Sequence, residues 1–78
     1  MNTQLPEPIQ EMPPAAAHIY RELQWSDGDC LDVQTLKHRT GRSQATIRRA
    51  TTRLEEADFV ESRWSNDDRR IRLFCLRE

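Results

Sequence analysis

The chain has 78 residues, of which 36% are apolar and 32% charged, and its formal net charge at neutral pH is −1. This length predicts one small domain with a thin hydrophobic core. No run of 18 apolar residues is present, and the amino terminus lacks the basic and apolar stretches of a signal peptide. We therefore expect no contact with a membrane and a cytoplasmic location.

The first third of the chain predicts an arm and then a helix. Residues 1–13 contain three prolines and little apolar periodicity, which predicts a flexible N-terminal arm, with residues 14–78 as the folded domain. In the segment AAAHIYRELQW, Ile19 and Leu23 lie on one helical face. A turn around Gly28 is expected to end this helix.

A second and a third helix are predicted to follow, separated by a tight turn. The apolar pair at Cys30 and Leu31 is compatible with a minor strand before them. Asp32 is placed to cap the helix VQTLKHRT, and Gly41 is placed to end it in a left-handed conformation. Ser43 then caps the third helix.

The third helix has the clearest periodicity. One stripe is apolar and consists of Ile47, Ala50, Leu54 and Ala57. At about 100° per residue, the opposite side consists of Ala45, Arg48, Arg49 and Thr52. The acids of this helix, Glu55 and Glu56, come only in its last turns, so its amino-terminal half is cationic and faces solvent.

A β-hairpin is predicted at the carboxyl end. The segments FVESRW and RIRLFCL have the composition of strands, and the polar stretch SNDDR between them is typical of a turn. The hairpin is expected to pack on the helices, because an isolated two-stranded hairpin is marginally stable in water. We interpret Trp64 and Phe74 as packing residues that cover the helix–hairpin junction or a partner, rather than as platforms on which bases stack.

Charge is strongly segregated along the chain. The formal charge is −5 over residues 1–32, +6 over residues 33–54 and −2 over residues 55–78. The segment LKHRTGRSQATIRRATTRL, residues 36–54, holds six Lys or Arg and no acid. A solvated helix face usually mixes both signs, so this patch predicts a polyanionic partner.

The two cysteines are expected to be free thiols. Cys30 and Cys75 each lie among apolar residues, and neither has a metal-ligand spacing to His18 or His38. The chain also lacks paired carboxylates, a nucleophile with a base, and a Gly-rich phosphate loop. We therefore expect no metal, no cofactor and no enzymatic activity.

Helix, tight turn, helix and hairpin in this order predict a winged helix-turn-helix. The fold class is mainly α with a small β-hairpin (α+β), comprising three helices and a two-stranded wing. Such a fold presents its third helix as a probe that fits the major groove of double-stranded DNA.

The residue types suggest individual roles at such an interface. Gln44 is a candidate to read adenine, Arg48 or Arg49 to read guanine, and Ala45 to touch a thymine methyl group. Candidates for backbone phosphates are Lys37, Arg39, Arg42, Ser43, Thr46, Thr52 and Arg53. The wing candidates for backbone or minor groove are Asn66, Asp67, Arg69 and Arg70.

The segment TLKHRTGRSQATIRRATTRLEEADFVESRW resembles the helix-turn-helix and first wing strand of winged-helix transcriptional regulators. LEEADFVESRW is similar to the PadR family, and NDDRRIRLFCL is similar to the wing of the MarR family, whose Asp-x-Arg element would fall on Asp67 and Arg69. The resemblance implies an arginine in the minor groove, oriented by the aspartate, and a homodimer on a roughly palindromic operator. Asp58-Phe59 departs from the Gly-Leu that is typical of this position.

The sequence thus favours a sequence-specific, double-stranded-DNA-binding transcriptional regulator, without a dedicated site for a small-molecule effector. The alternative is a winged-helix protein–protein interaction module in a transcription, replication or repair complex, a use that the acidic first third would suit. Salt-dependent binding to generic duplex DNA distinguishes the two.

Overall fold

The computed structural model describes residues 5–26 and 30–77, so the predicted turn at Gly28 lies outside the described residues. Within those ranges the chain forms four helices and three strands. In chain order they are α1 (Glu7–Gln10), α2 (Pro14–Trp25), β1 (Leu31–Asp32), α3 (Val33–Thr40), α4 (Gln44–Glu56), β2 (Val60–Trp64) and β3 (Arg72–Leu76). The predicted α+β winged-helix class is confirmed, with one more helix and one more strand than expected.

The core lies where the three longer helices meet the sheet. α2 contributes Ile19 and Leu23, α3 contributes Leu36, and α4 contributes Ile47 and Leu54, all with almost no exposed surface. The buried residues of α2 and α4 are ones that the helical periodicity placed inside. The burial of this face of α4 leaves the opposite side of the same helix in solvent.

The predicted caps of α3 and α4 are confirmed. The Asp32 carboxylate accepts a hydrogen bond from the backbone N–H of Thr35 at 2.7 Å. Gly41 ends α3 with φ +70°, and Ser43 Oγ accepts from the N–H of Thr46 at 3.2 Å. These local bonds make the tight turn that directs α4 away from α3.

The prediction of a flexible arm over residues 1–13 needs correction from residue 5 onward. Ile9 lies in the helical turn α1 and is fully buried, and Leu5 and Met12 pack partly against the same core. Their spacing of four and three residues is helical, a signal that the prolines concealed. Proline is tolerated in the first turn of a helix, where its missing N–H has no intrahelical partner, so Pro8 does not prevent this turn.

The sheet has three antiparallel strands in the order β1-β3-β2, not the two of the predicted hairpin. Leu31 pairs with Phe74, and Phe74 pairs with Ser62 on its other side. Cys30, directly before β1, forms a disulfide with Cys75 of β3. The expectation of free thiols was therefore wrong, because β1 joins the sheet and brings the two cysteines together.

The two wing aromatics have different environments. Phe74 is buried, as expected, whereas Trp64 is 60% exposed. Trp64 therefore does not cover the helix–hairpin junction, and its packing against a partner stays a prediction. Trp64 is the last residue of β2 and lies beyond the edge of the core.

The turn after α4 requires a left-handed residue. Asp58 has φ +64°, and its N–H donates to the Glu55 carbonyl at 3.0 Å. Phe59 follows and packs edge-on against Tyr20 of α2, with ring centroids 5.9 Å apart. This is the position at which glycine is usual in the families that the sequence resembles.

We expect Asp58→Gly to raise the free energy of unfolding by up to about 1 kcal/mol. The left-handed conformation costs a non-glycine residue roughly 1–2 kcal/mol, and the larger entropy of glycine in the unfolded chain offsets part of this gain. Urea denaturation measures the change. Ala57→Gly is the matched control and should lower the free energy of unfolding, since Ala57 has φ −89°. Equal effects at both positions would contradict the left-handed conformation assigned to Asp58.

We expect reduction of the Cys30–Cys75 disulfide to lower the free energy of unfolding by about 2–4 kcal/mol, because the bond restricts the unfolded chain. Denaturant titration with and without a thiol reductant measures this loss. A double Cys30→Ser/Cys75→Ser variant should have a free energy of unfolding close to that of the reduced protein. Adding the reductant should not change that value. An unchanged midpoint for the reduced wild type would contradict the prediction.

Candidate nucleic-acid interface

α4 presents a cationic face whose composition follows from its periodicity. Ile47, Ala50, Thr51 and Leu54 are buried, and the opposite side carries the exposed residues Ala45, Arg48, Arg49, Thr52 and Arg53. The first turn of α4 has no acidic residue. Four of these side chains, with Glu56, line a shallow open depression.

The arginines of this face are not neutralised by the protein. In the described part of the chain, no hydrogen bond or ion pair joins Arg48, Arg49 or Arg53 to a carboxylate. Guanidinium groups exposed without a counter-charge are available to phosphates or to base edges. This is the arrangement that the segregation of charge predicted.

Two of the predicted base readers are neighbours on α4. With the Gln44 amide turned so that its oxygen faces the guanidinium, that oxygen accepts from Arg48 Nε at 3.2 Å and from Arg48 Nη2 at 3.1 Å. The pair is separated by one helical turn, and both side chains are exposed. The third and fourth candidates, Ala45 and Arg49, are also exposed.

The predicted phosphate-binding residues have varied surroundings. Ser43 Oγ donates to Thr46 Oγ1 at 3.0 Å, so these two hydroxyls form one polar group at the start of α4. Thr52 Oγ1 donates to the Arg48 carbonyl at 2.9 Å. Arg53 lines a cleft of about 150 Å³ at the start of α2, together with Arg49. Ser43 and Thr46 thus lie at the amino end of α4, whereas Thr52 and Arg53 lie in its carboxyl-terminal half.

Three other cationic candidates lie near the helix-turn-helix. Arg39 Nη1 is 3.9 Å from a carboxylate oxygen of Glu22 on α2, so part of its charge is satisfied within the protein. Lys37 is half-buried. Arg42 is also half-buried, and its Nε is a buried side-chain atom that finds no hydrogen-bond partner within the described residues.

In the wing, the aspartate–arginine contact involves Asp68 and Arg70. The Asp68 carboxylate accepts from the Arg70 N–H at 3.0 Å, from Nε at 3.2 Å and from Nη2 at 3.3 Å. The side chain of Arg70, and then its backbone N–H, hold the pKa of Asp68 below the usual aspartate value. The Asp-x-Arg geometry therefore falls one residue later than the expected pair Asp67 and Arg69, whose side chains are both exposed, as is that of Asn66.

A polar cluster connects α4 to both strands of the wing. Arg72 Nη2 donates to the two Glu55 carboxylate oxygens at 3.2 Å each and to Ser62 Oγ at 2.8 Å. Ser62 Oγ also donates to Glu55 at 3.2 Å, and the Arg72 guanidinium lies 5.3 Å from the centre of the Phe74 ring. Sequence reasoning missed this cluster because its members come from three separate elements.

The cluster places the wing on a defined side of α4. Glu55 and Arg48 are seven residues apart, about two helical turns, and lie on the same side of α4. Arg49 and Arg53 lie toward the start of α2, where they line a cleft with Pro13 and Ala15. The cationic face is thus bordered by α2 on one side and by the wing on the other.

Comparison with known proteins identifies the family. The family model of the MarR family matches residues 25–71, which is more than half of the chain. No curated relative matches the sequence.

Solved structures share the fold. The adhesin competence repressor AdcR from Streptococcus pyogenes has a TM-score of 0.78 and 24% identity over 87% of this chain and 47% of its own. A variant of ZitR from Lactococcus lactis has a TM-score of 0.81 and 19% identity over 100% of this chain and 50% of its own. YusO from Bacillus subtilis has a TM-score of 0.78 and 20% identity over 87% and 47%. The chain therefore spans about half the length of these structures.

These findings define a winged-helix protein of the transcription-regulator class. The chain belongs to the MarR family, whose members are DNA-binding transcription factors and not enzymes. The comparisons give no support to the expectation that a small-molecule effector is absent. Residues 5–26 and 30–77 hold no cluster of three His, Cys, Asp or Glu side chains suited to a metal ion. Nor do they form a helix that is long and apolar enough to span a membrane.

We expect Glu55→Gln to lower the free energy of unfolding by about 1 kcal/mol, because it weakens charge-assisted hydrogen bonds that are partly exposed to solvent. The neighbouring Glu56→Gln is the matched control, since the Glu56 side chain is exposed and has no hydrogen bond or ion pair within the described residues. Urea denaturation of both variants measures the difference. Equal stability of the two would show that the cluster contributes nothing to holding the wing.

Proposed function

We propose that this protein is a sequence-specific transcriptional regulator that binds double-stranded DNA with α4 in the major groove. The observation that carries the proposal is the exposed face of α4, on which Arg48, Arg49 and Arg53 have no carboxylate partner in the described structure. A helix has the diameter that the major groove admits, and guanidinium groups suit guanine edges and phosphates.

The DNA-binding role that we assign to each residue of α4 follows from the position of its side chain. Gln44 and Arg48, which contact each other, are placed to read an adenine and a guanine, and Arg49 is the alternative reader of guanine. Ala45 is small and exposed, which suits a thymine methyl group. The Ser43–Thr46 pair lies at the amino end of the helix, where free N–H groups and the helix dipole favour a phosphate.

The remaining candidates contact the DNA backbone in this proposal. Thr52 and Arg53 lie beside the base readers, and Arg42 and Lys37 precede α4. Arg39 is the weakest of the set, because it shares its charge with Glu22. Contacts of this kind set the position of the protein on DNA rather than its sequence preference.

The wing supplies a second contact, on the backbone or in the minor groove. Arg69 and Asn66 are exposed at its loop, and Arg70 is positioned by Asp68. Because the Glu55–Ser62–Arg72 cluster joins the wing to α4, a duplex in contact with α4 meets the wing in a defined orientation.

We also propose that the protein acts as a homodimer in the cytoplasm. The longest dimension of one copy is 34 Å, close to the roughly 34 Å of one turn of DNA that separates the recognition helices of a dimer. In this proposal two copies occupy adjacent half-sites of a palindromic operator. The cytoplasmic location follows from access to chromosomal DNA.

A second candidate function is a protein–protein interaction module. The observation that favours it is Trp25, which is 83% exposed at the end of α2. A module that uses α4 for protein contact should show no salt-dependent affinity for generic duplex DNA near physiological ionic strength.

We expect the double replacement Arg48→Ala/Arg49→Ala to lower affinity for a selected duplex at least about tenfold, since each lost base contact is worth roughly 1–3 kcal/mol. Sites are first selected from random duplexes with the wild-type protein, and affinity is then measured by fluorescence anisotropy at several salt concentrations. Arg21→Ala is the matched control, because Arg21 is exposed on α2 outside the cationic segment. Unchanged affinity in the double variant would contradict the proposal.

A further inference from the structure

The wing displays a large aromatic surface that the contacts described so far do not use. Trp64 is 60% exposed, although it is the last residue of a paired strand. It lines a shallow depression with Ser65, Asn66 and Arg69. An indole plane, an amide and a guanidinium group therefore face solvent together at the base of the wing loop.

The loop that carries this depression is held by its own hydrogen bonds. The Ser65 N–H donates to the Ile71 carbonyl at 2.8 Å, and the Ile71 N–H donates to the Asp68 carbonyl at 2.9 Å. Ser65 Oγ accepts from the N–H groups of Asp67 and Asp68 at 3.2 and 3.4 Å. The backbone of the wing loop next to Trp64 is therefore held by several hydrogen bonds.

The strand register places Trp64 on the side of the wing that faces α4. Side chains two residues apart in a strand share a face, so Trp64 lies on the same face as Ser62, whose hydroxyl contacts Glu55 of α4. Its cross-strand partner is Arg72, which contacts the same carboxylate. A ligand that covers α4 and continues toward the wing loop thus meets the indole.

The charges of the wing identify the kind of ligand. Arg63, Arg70 and Arg72 are paired with Glu61, Asp68 and Glu55, respectively. Within the described residues, Arg69 is the wing arginine without a carboxylate partner, and it lines the depression, whereas Asp67 does not. An apolar plane beside one unpaired cation is complementary to a sugar that carries a phosphate.

We propose that Trp64 and Arg69 form a contact surface for one strand of duplex DNA, in which the indole packs on a deoxyribose and the guanidinium binds the adjoining phosphate. This surface extends the proposed function, on which it rests. Tryptophan suits the role because it offers a large, rigid apolar face with few rotatable bonds.

The two tryptophans of the chain allow a direct test. The Trp25→Phe variant keeps Trp64 as its single tryptophan, and Trp64→Phe keeps Trp25. Binding of the selected duplex, followed by anisotropy of labelled DNA, is compared with tryptophan emission in the same titration. We expect emission to change in step with binding in Trp25→Phe and to stay constant in Trp64→Phe.

The outcomes separate this inference from the proposed function. If the duplex binds Trp25→Phe while the emission of Trp64 stays constant, the contact surface is wrong and the DNA-binding function stands. If neither variant binds a duplex, both proposals fail. If the emission of Trp25→Phe changes with protein concentration in the absence of DNA, Trp64 lies at an interface between copies. That result would overturn the contact surface.

Affinity gives a second readout, because the two side chains should differ in how they affect the salt dependence of binding. Trp64→Ala should weaken binding roughly fivefold, as expected for loss of about 40 Å² of buried apolar area, and should leave the salt dependence unchanged. Arg69→Ala should reduce the slope of log affinity against log salt by about one, since it removes one phosphate contact. An unchanged affinity in Trp64→Ala would overturn the contribution of the indole.

Discussion

The burial of one face of α4 is the constraint on which the rest of the structure depends. Ile47 and Leu54 pack into the core with Ile19 and Leu23 of α2, and this packing determines which side of α4 remains in solvent. Because the arginines are interleaved with the apolar stripe at helical spacing, the same packing displays them together. A cationic surface is therefore a direct consequence of forming the core.

Three carboxylates of the carboxyl-terminal part are paired with arginines outside this surface. Glu55 contacts Ser62 and Arg72, Asp68 contacts Arg70, and Glu61 contacts Arg63. These three acids thus pair within the wing or between the wing and the last turns of α4. They hold the wing in place while Arg48, Arg49 and Arg69 keep their charges available.

The small size of the domain explains two features that stabilise it. A domain of this length buries a limited core, and the chain adds to it at both ends. Ile9 extends the core from the amino-terminal segment, and the Cys30–Cys75 disulfide joins the loop before β1 to the last strand. The first ties the amino-terminal segment to the helical core, and the second ties the loop before β1 to the sheet.

The sequence by itself determined α2, α3 and α4, their caps at Asp32 and Ser43, the left-handed Gly41 and the exposed arginines of α4. These features depend on periodicity and on hydrogen bonds between residues at most four apart, so they can be derived from neighbouring positions. Only the tertiary structure decided the disulfide, the third strand, the Glu55–Ser62–Arg72 cluster and the exposure of Trp64. Each of these depends on how elements far apart in the chain pack together; Cys30 and Cys75, for example, are 45 residues apart. Contacts at such separations follow from the burial of a common core and from strand register, which no local pattern contains.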